Sequence, residues 1–166
     1  MSKIYVDEIV PKTAGGNITI QGDTVLPQRP SFMVSGSLDN WAGVSSGNRI
    51  ICDVKSSGDM YDNGSNYDTA TGLFTAPVSG LYYFHMNIFA MDARTISIFT
   101  FDVNGTNISN GQNSIRIQVS ENTAVDNSAS GSVIKELSAG DTVGIKTGVD
   151  SDWYPSLSYW FGYLIG

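Results

Sequence analysis

One cysteine and one histidine in 166 residues leave this chain nearly without the side chains that form disulfides, shuttle protons near neutral pH or hold transition metals. Cys52 has no second cysteine to pair with, which excludes a disulfide-stapled scaffold. Charge is also scarce, at 15% of residues against the usual quarter. Nine Lys and Arg stand against sixteen Asp and Glu, for a net charge of −7. Nucleic-acid phosphates need a dense cationic footprint, so nucleic acid is not an expected partner. An anionic membrane surface would repel such a chain. No apolar run approaches the 18 or so residues of a helical membrane span, so membrane insertion is not expected either. The segment MSKIYVDEIV carries a lone Lys and two acids but no apolar stretch of the kind a secretory signal needs.

Uncharged polar residues fill the gap: 21 Ser, 12 Thr and 12 Asn beside 18 Gly. That mixture builds turns and strand surfaces and lacks the Glu, Lys, Leu and Ala of long helices. The 18 aromatics provide a core to bury, which excludes a disordered chain. An all-β protein is expected.

Residues 1–29 read as a separate arm and linker. IYVDEIV alternates apolar and polar residues, Pro11 stops it, Gly15-Gly16 turns, and Asn17-Ile18-Thr19-Ile20 is a second short piece. Two short strands do not make a stable unit in water, so the arm should trimerise, dock onto something or stay loose. Its charges balance, so the whole net charge lies in residues 30–166. From Ser31 onward, short strands alternate with turn signals, the pattern of a sandwich or barrel. Strands are expected near 31–36, 48–54, 72–76, 80–90, 95–103, 112–120, 130–137, 142–147 and 157–165. Asn104-Gly105 marks a hairpin between two of them. In GLYYFHMNIFA (80–90), Tyr82, Phe84, Met86 and Ile88 point one way, while Tyr83, His85, Asn87 and Phe89 point the other. Aromatics on both faces predict one face in the core and the other against a partner, the alternative being an interior strand covered by a loop. The closing SYWFGYLI, with Trp160 and Tyr163, reads the same way.

The stretch YDTATGLFTAPVSGLYYF (67–84) resembles the globular head domain of complement C1q and its relatives, with Tyr67-Asp68, Thr71-Gly72, Phe74-Thr75, Pro77, Gly80, Tyr82 and Phe84 in place. SGSVIKELSAGDTVGIK (130–146), the closing WFGYLIG and the opening Arg29-Pro30-Ser31-Phe32 are similar to further blocks of that family. The resemblance implies a ten-strand jelly roll of the kind shared with tumour necrosis factor, assembled as a homotrimer. Tyr82, Tyr83, Phe84, His85, Phe89, Trp160 and Tyr163 would then form core and trimer interface. No collagen-like Gly-x-y stem precedes the domain. The arm, SKIYVDEIVPKTAGGNITIQGD, resembles the opening of many bacteriophage structural proteins, notably of cyanophages. Together the two imply a virion fibre protein. It would be assembled in the host cytoplasm, released by lysis, tethered to other virion proteins through residues 1–29, and tipped by a head that binds a host-surface glycan or protein. A purely structural decoration subunit and a bacterial C1q-like adhesin are the alternatives.

Catalysis finds little to work with. No nucleophile elbow, phosphate loop or zinc-helix motif is present. His85 sits among aromatics in a strand, and Cys52 lies in the apolar run Ile50-Ile51-Cys52, which is the setting of a buried, inert thiol. A non-enzymatic protein is expected, with no cofactor. Some C1q-like heads bind calcium, and Asp150 with Asp152 is the weak candidate here. Two carboxylates supply only part of the six to eight oxygens that calcium takes, and Asp59, Asp62 and Asp68 lack ligands at the intervening positions. If both chain ends of the domain lie at its base, strand parity sends the loops 37–47, 91–94, 121–129 and 148–156 to the far end. That end would gather Trp41, Asn122, Asp126, Asp150, Asp152, Trp153 and Tyr154 as a candidate receptor surface of aromatics and hydrogen-bonding groups. The alternative is that Trp41, Trp153 and Tyr154 tuck back onto the sandwich or line the subunit boundary.

Overall fold

The computed structural model describes residues 29–90, 96–108, 116–120 and 127–166; the expected arm, apart from Arg29, lies outside them. Alternating burial along short segments, punctuated by Gly and Asn turns, gives thirteen strands in chain order. They are β1 (Ser31–Ser35), β2 (Ala42–Val44), β3 (Tyr61–Asn63), β4 (Tyr67–Asp68), β5 (Leu73–Thr75), β6 (Gly80–Ala90), β7 (Ile96–Val103), β8 (Thr106–Asn107), β9 (Arg116–Ser120), β10 (Asn127–Leu137), β11 (Thr142–Thr147), β12 (Ser151–Trp153) and β13 (Tyr159–Leu164). No α-helix occurs among the described residues, and a single 3-10 turn spans Pro155–Leu157. The strands form two antiparallel sheets. One has seven strands in the order β2-β12-β6-β13-β1-β3, with β10 on the other edge of β6; the second has six, β4-β5-β11-β7-β8, with β9 also on β7. This is the two-sheet jelly roll that the family resemblance implies, one of the sandwich-or-barrel class that the strand pattern predicts. The surplus over ten strands comes from pieces two or three residues long.

Sequence and structure agree on the long strands and part at 48–54. Ile50 and Cys52 are buried while Ile51 and Asp53 are exposed, so the alternation is real. The segment nevertheless pairs only at isolated bridges, Arg49 with Lys146 in the six-stranded sheet and Val54 with Ser35 in the seven-stranded one. It crosses from one sheet to the other and forms a corner of the sandwich. Asn104-Gly105 does form the expected hairpin turn, joining β7 to β8 with Val103 opposite Thr106. Its φ angles of 51° and 82° place both residues in the left-handed region that a type I′ turn requires.

The core between the sheets is aromatic. Phe32 stacks on Phe74 at 4.8 Å and Tyr67 at 5.5 Å, and meets Trp160 edge-on at 4.6 Å. Tyr82, Phe84, Met86 and Ile88 of β6 close over them, fully buried. Gly162 is required in this packing, because a Cβ there would lie 2.4 Å from the Phe84 ring. The outer face of the six-stranded sheet is pinned by an ion pair: Arg49 Nη2 donates to both oxygens of buried Asp102, at 2.8 and 2.6 Å. Both ends of the domain meet at its base, where Leu164 N–H donates to Pro30 O and Arg29 Nη1 donates to Ile165 O at 2.6 Å.

Candidate functional site

In β6, the even-numbered residues fill the core, so the odd-numbered ones must point away from it. Register fixes their neighbours. On β13, Tyr163 lies opposite Tyr83 and Phe161 opposite His85, with Tyr159 opposite Asn87. On the other side, β10 places Ser128, Ser130 and Ser132 opposite Phe89, Asn87 and His85, and Ile134 opposite Tyr83. Met33 of β1 continues the face beyond Phe161, and Tyr61 of β3 beyond Met33. Directly opposed residues share a face. The outer surface of the seven-stranded sheet is therefore an aromatic ridge beside a shallow strip of serines.

The ridge is a connected set of rings. Tyr83 lies 5.3 Å from Tyr163 and 6.1 Å from Phe161, and His85 lies 5.1 Å from Phe161 and 6.3 Å from Tyr159. Toward the base it opens to solvent, with Tyr163 42%, Leu81 40% and Ile134 57% exposed. Among the described residues of β1, β3, β6, β10 and β13 that point to this side, Glu136 alone carries a charge at neutral pH. Ser132 Oγ joins ridge and strip, lying 2.8 Å from both Tyr83 OH and His85 Nδ1. Partial burial among these rings holds the imidazole below its ordinary pKa.

At the far end the face closes on Phe89, which stacks against Trp41 at 6.0 Å, while Tyr154 meets Trp41 edge-on at 5.1 Å. Tyr154 OH and Ser156 Oγ both donate to Asp39 Oδ1, at 3.1 and 2.9 Å. Removal from water, followed by the hydrogen bond to and charge of Asp39, pushes the Tyr154 phenol above its ordinary pKa. The loops 37–47 and 148–156 therefore come together here, and Trp41 and Tyr154 share one cluster.

The sequence-predicted site residues sort as follows. Tyr82, Phe84 and Trp160 belong to the core, whereas Tyr83, His85, Phe89 and Tyr163 lie on the outer face. Trp153 is a correction: only 4% exposed and packed in the core cluster, it has no surface to offer a receptor. Its place in β12, paired with Ala42 on one side and Ala90 on the other, turns the ring inward. Asp150 Oδ1 accepts from Ser46 N–H at 2.8 Å, and Asp152 lies opposite Gly43. No group of three or more His, Cys, Asp or Glu side chains is gathered among the described residues, and one Asp150 oxygen already serves a loop N–H. Asn122 and Asp126 lie outside the described residues. Cys52 is buried and its thiol pushed far up by burial, then by neighbouring Asp53, which leaves it without nucleophilic character.

Phe161, Tyr159, Met33, Tyr61, Ile134 and Asp39 were not singled out by the sequence. The first two were within reach, since Trp160 and Gly162 alternate with them. The others depend on which strands lie side by side, which the local pattern does not carry.

No curated protein matches this chain by sequence. Among solved structures, it is similar to the globular domain of a zebrafish complement 1qA protein, at 19% identity and a TM-score of 0.62, covering 84% of this chain and 98% of that one. It is also similar to the Eiger tumour necrosis factor of S. frugiperda (17%, TM-score 0.61, 83% and 93% covered) and to murine APRIL (10%, 0.59, 83% and 100%). These likenesses are of fold. The C1q domain profile matches residues 53–165, which runs from the sheet-crossing corner through β13 and takes in both halves of the ridge. With well over half of its length matched, this chain belongs to the C1q domain family.

Proposed function

We propose that the protein is a homotrimeric binding head whose subunits associate through the outer face of the seven-stranded sheet. The observation that carries this reading is the make-up of that face: a ridge of Tyr83, Phe161, Tyr163 and Tyr159 beside the strip Ser128, Ser130 and Ser132, with one charged residue at its edge. Aromatic area free of charge marks the centre of an interface. A ridge and a strip are two unlike patches, and unlike patches that fit one another generate a closed ring rather than a twofold pair. Membership of the C1q domain family favours three copies. His85, the only histidine, reports on the face directly. Diethyl pyrocarbonate should modify it slowly in the native protein and quickly after unfolding. Modification of native protein at the unfolded rate would mean an uncovered face and would refute the assembly.

The partner-binding surface proposed is the far-end cluster of Trp41, Tyr154 and Asp39, where aromatic area sits beside a carboxylate and the Asn40 amide. That chemistry suits a glycan or a protein loop, and three copies engaged at once can raise avidity about 10²- to 10⁴-fold. No catalytic constellation supports an enzyme. The finer placement, in a phage virion with residues 1–29 as the tether, is supported by the sequence of the arm alone. It predicts the chain among the proteins of purified particles, and loss of adsorption to host cells when Trp41→Ala and Tyr154→Ala are combined. Particles lacking the chain would refute the tether, and unchanged adsorption would refute the binding site.

A further inference from the structure

We propose that the Tyr83–Ser132–His85 triad makes assembly sensitive to pH, the copies associating through the ridge while His85 is neutral and separating when it takes up a proton. The inference rests on the assembly reading above and adds its regulation.

The geometry is a short relay. Ser132 Oγ is 2.8 Å from His85 Nδ1 and 2.8 Å from Tyr83 OH. With the imidazole neutral and its hydrogen on Nε2, Ser132 Oγ–H donates to Nδ1 and Tyr83 O–H donates to Ser132 Oγ, so both bonds of the triad form within one chain. A second proton reverses the relay. Nδ1 must then donate to Ser132 Oγ, which leaves three hydrogens for two bonds, so the hydroxyl hydrogen of either Ser132 or Tyr83 is driven out of the triad toward whatever covers the face.

Among the described residues of the flanking strands the added charge has no counter-ion. From β6 the imidazole is flanked by Tyr83 and Asn87, and from β10 by Ser130, Ser132 and Ile134. From β13 it is flanked by Tyr159, Phe161 and Tyr163, and beyond them by Met33 of β1. Glu136, the one carboxylate that β1, β3, β6, β10 and β13 turn to this side, is four residues along β10 from Ser132, about 13 Å by strand rise, and Asp39 lies at the far end beside Tyr154. Lys135 lies opposite Tyr82 and so belongs to the other side of the strand.

The sign follows. Partial burial already holds His85 below its ordinary pKa in a single chain, and covering the face with further copies removes more water and lowers it again. The assembled form therefore binds protons more weakly than the separated chains. Association is complete above the separated chain's value and is lost as pH falls from there toward the assembled form's lower value, both below the ordinary imidazole pKa. If each imidazole resists protonation tenfold more when assembled, three of them weaken association by up to about 10³-fold in acid.

The test is sedimentation velocity of the full chain from about pH 8 to about pH 5, with far-ultraviolet circular dichroism to follow the fold. The expected result is a trimer at the upper end that separates into folded single chains toward the acid end. His85→Asn and His85→Phe, neutral throughout, should remain assembled over the whole range, and His85→Lys should be separated at its upper end. A wild-type trimer that persists at the acid limit would overturn the inference and leave the assembly standing. So would His85→Asn and His85→Phe variants that both separate in parallel with the wild type. A single-chain species at the upper end would overturn the assembly reading and this inference with it.

Discussion

Phe161→Glu separates the two roles of β13 most sharply. Phe161 points outward between His85 and Tyr83, while its neighbours Trp160 and Gly162 face the core. In a single chain the substitution removes two ring contacts at a half-buried site. It should therefore change fold stability by about 1 kcal/mol or less. In the assembly it places an unpaired carboxylate in a face with no cation. Burying such a charge costs several kcal/mol per ion, so at about 3 kcal/mol each, three copies reach about 9 kcal/mol, or roughly 10⁶-fold in association. Sedimentation velocity paired with a urea melt measures both quantities. The expected outcome is a folded single chain whose urea midpoint is near that of dissociated wild type. A variant that keeps the wild-type assembly at micromolar concentration would refute the argument that the ridge is the contact.

Three further outcomes test the packing beneath the site. Trp153→Ala should lower stability by about 3–5 kcal/mol, because a buried core ring is removed, whereas Tyr154→Ala, one residue on, should cost far less; urea midpoints compare the two. Gly162→Ala should destabilise by about 1–3 kcal/mol or more, since the new methyl would lie 2.4 Å from the Phe84 ring, with a lowered melting temperature as the readout. Asp102→Ala should cost about 3–5 kcal/mol by leaving Arg49 without its partner, and replacing both residues by apolar ones, Arg49→Met with Asp102→Leu, should recover much of that loss in the same melts.

Much of the fold was legible because the strands that build the core carry their own alternation. In β6 each buried residue sits between two outward ones over eleven positions, so the two-faced character of the strand could be read directly. The Asn104-Gly105 turn was equally plain, since few other pairs adopt two left-handed residues in succession. Short strands were not legible. β2, β3, β4, β8 and β12 span two or three residues, too few to show a period, and exist only because a longer neighbour offers its edge. The segment 48–54 has a strand's alternation but divides its pairing between two sheets, a tertiary fact with no local sign. At the site, Trp153 and Tyr154 are adjacent aromatics in a polar loop and look alike in sequence. Only the pairing of Trp153 with Ala42 and Ala90 decides that one ring is core and the other surface.

The central claim is that the charge-poor ridge is covered by further copies of the same chain. Light scattering after gel filtration tests it without any variant. The subunit is 17.8 kDa, and near neutral pH the account predicts a single species of about three times that mass. A stable species at the mass of one chain, with the fold intact, would contradict it.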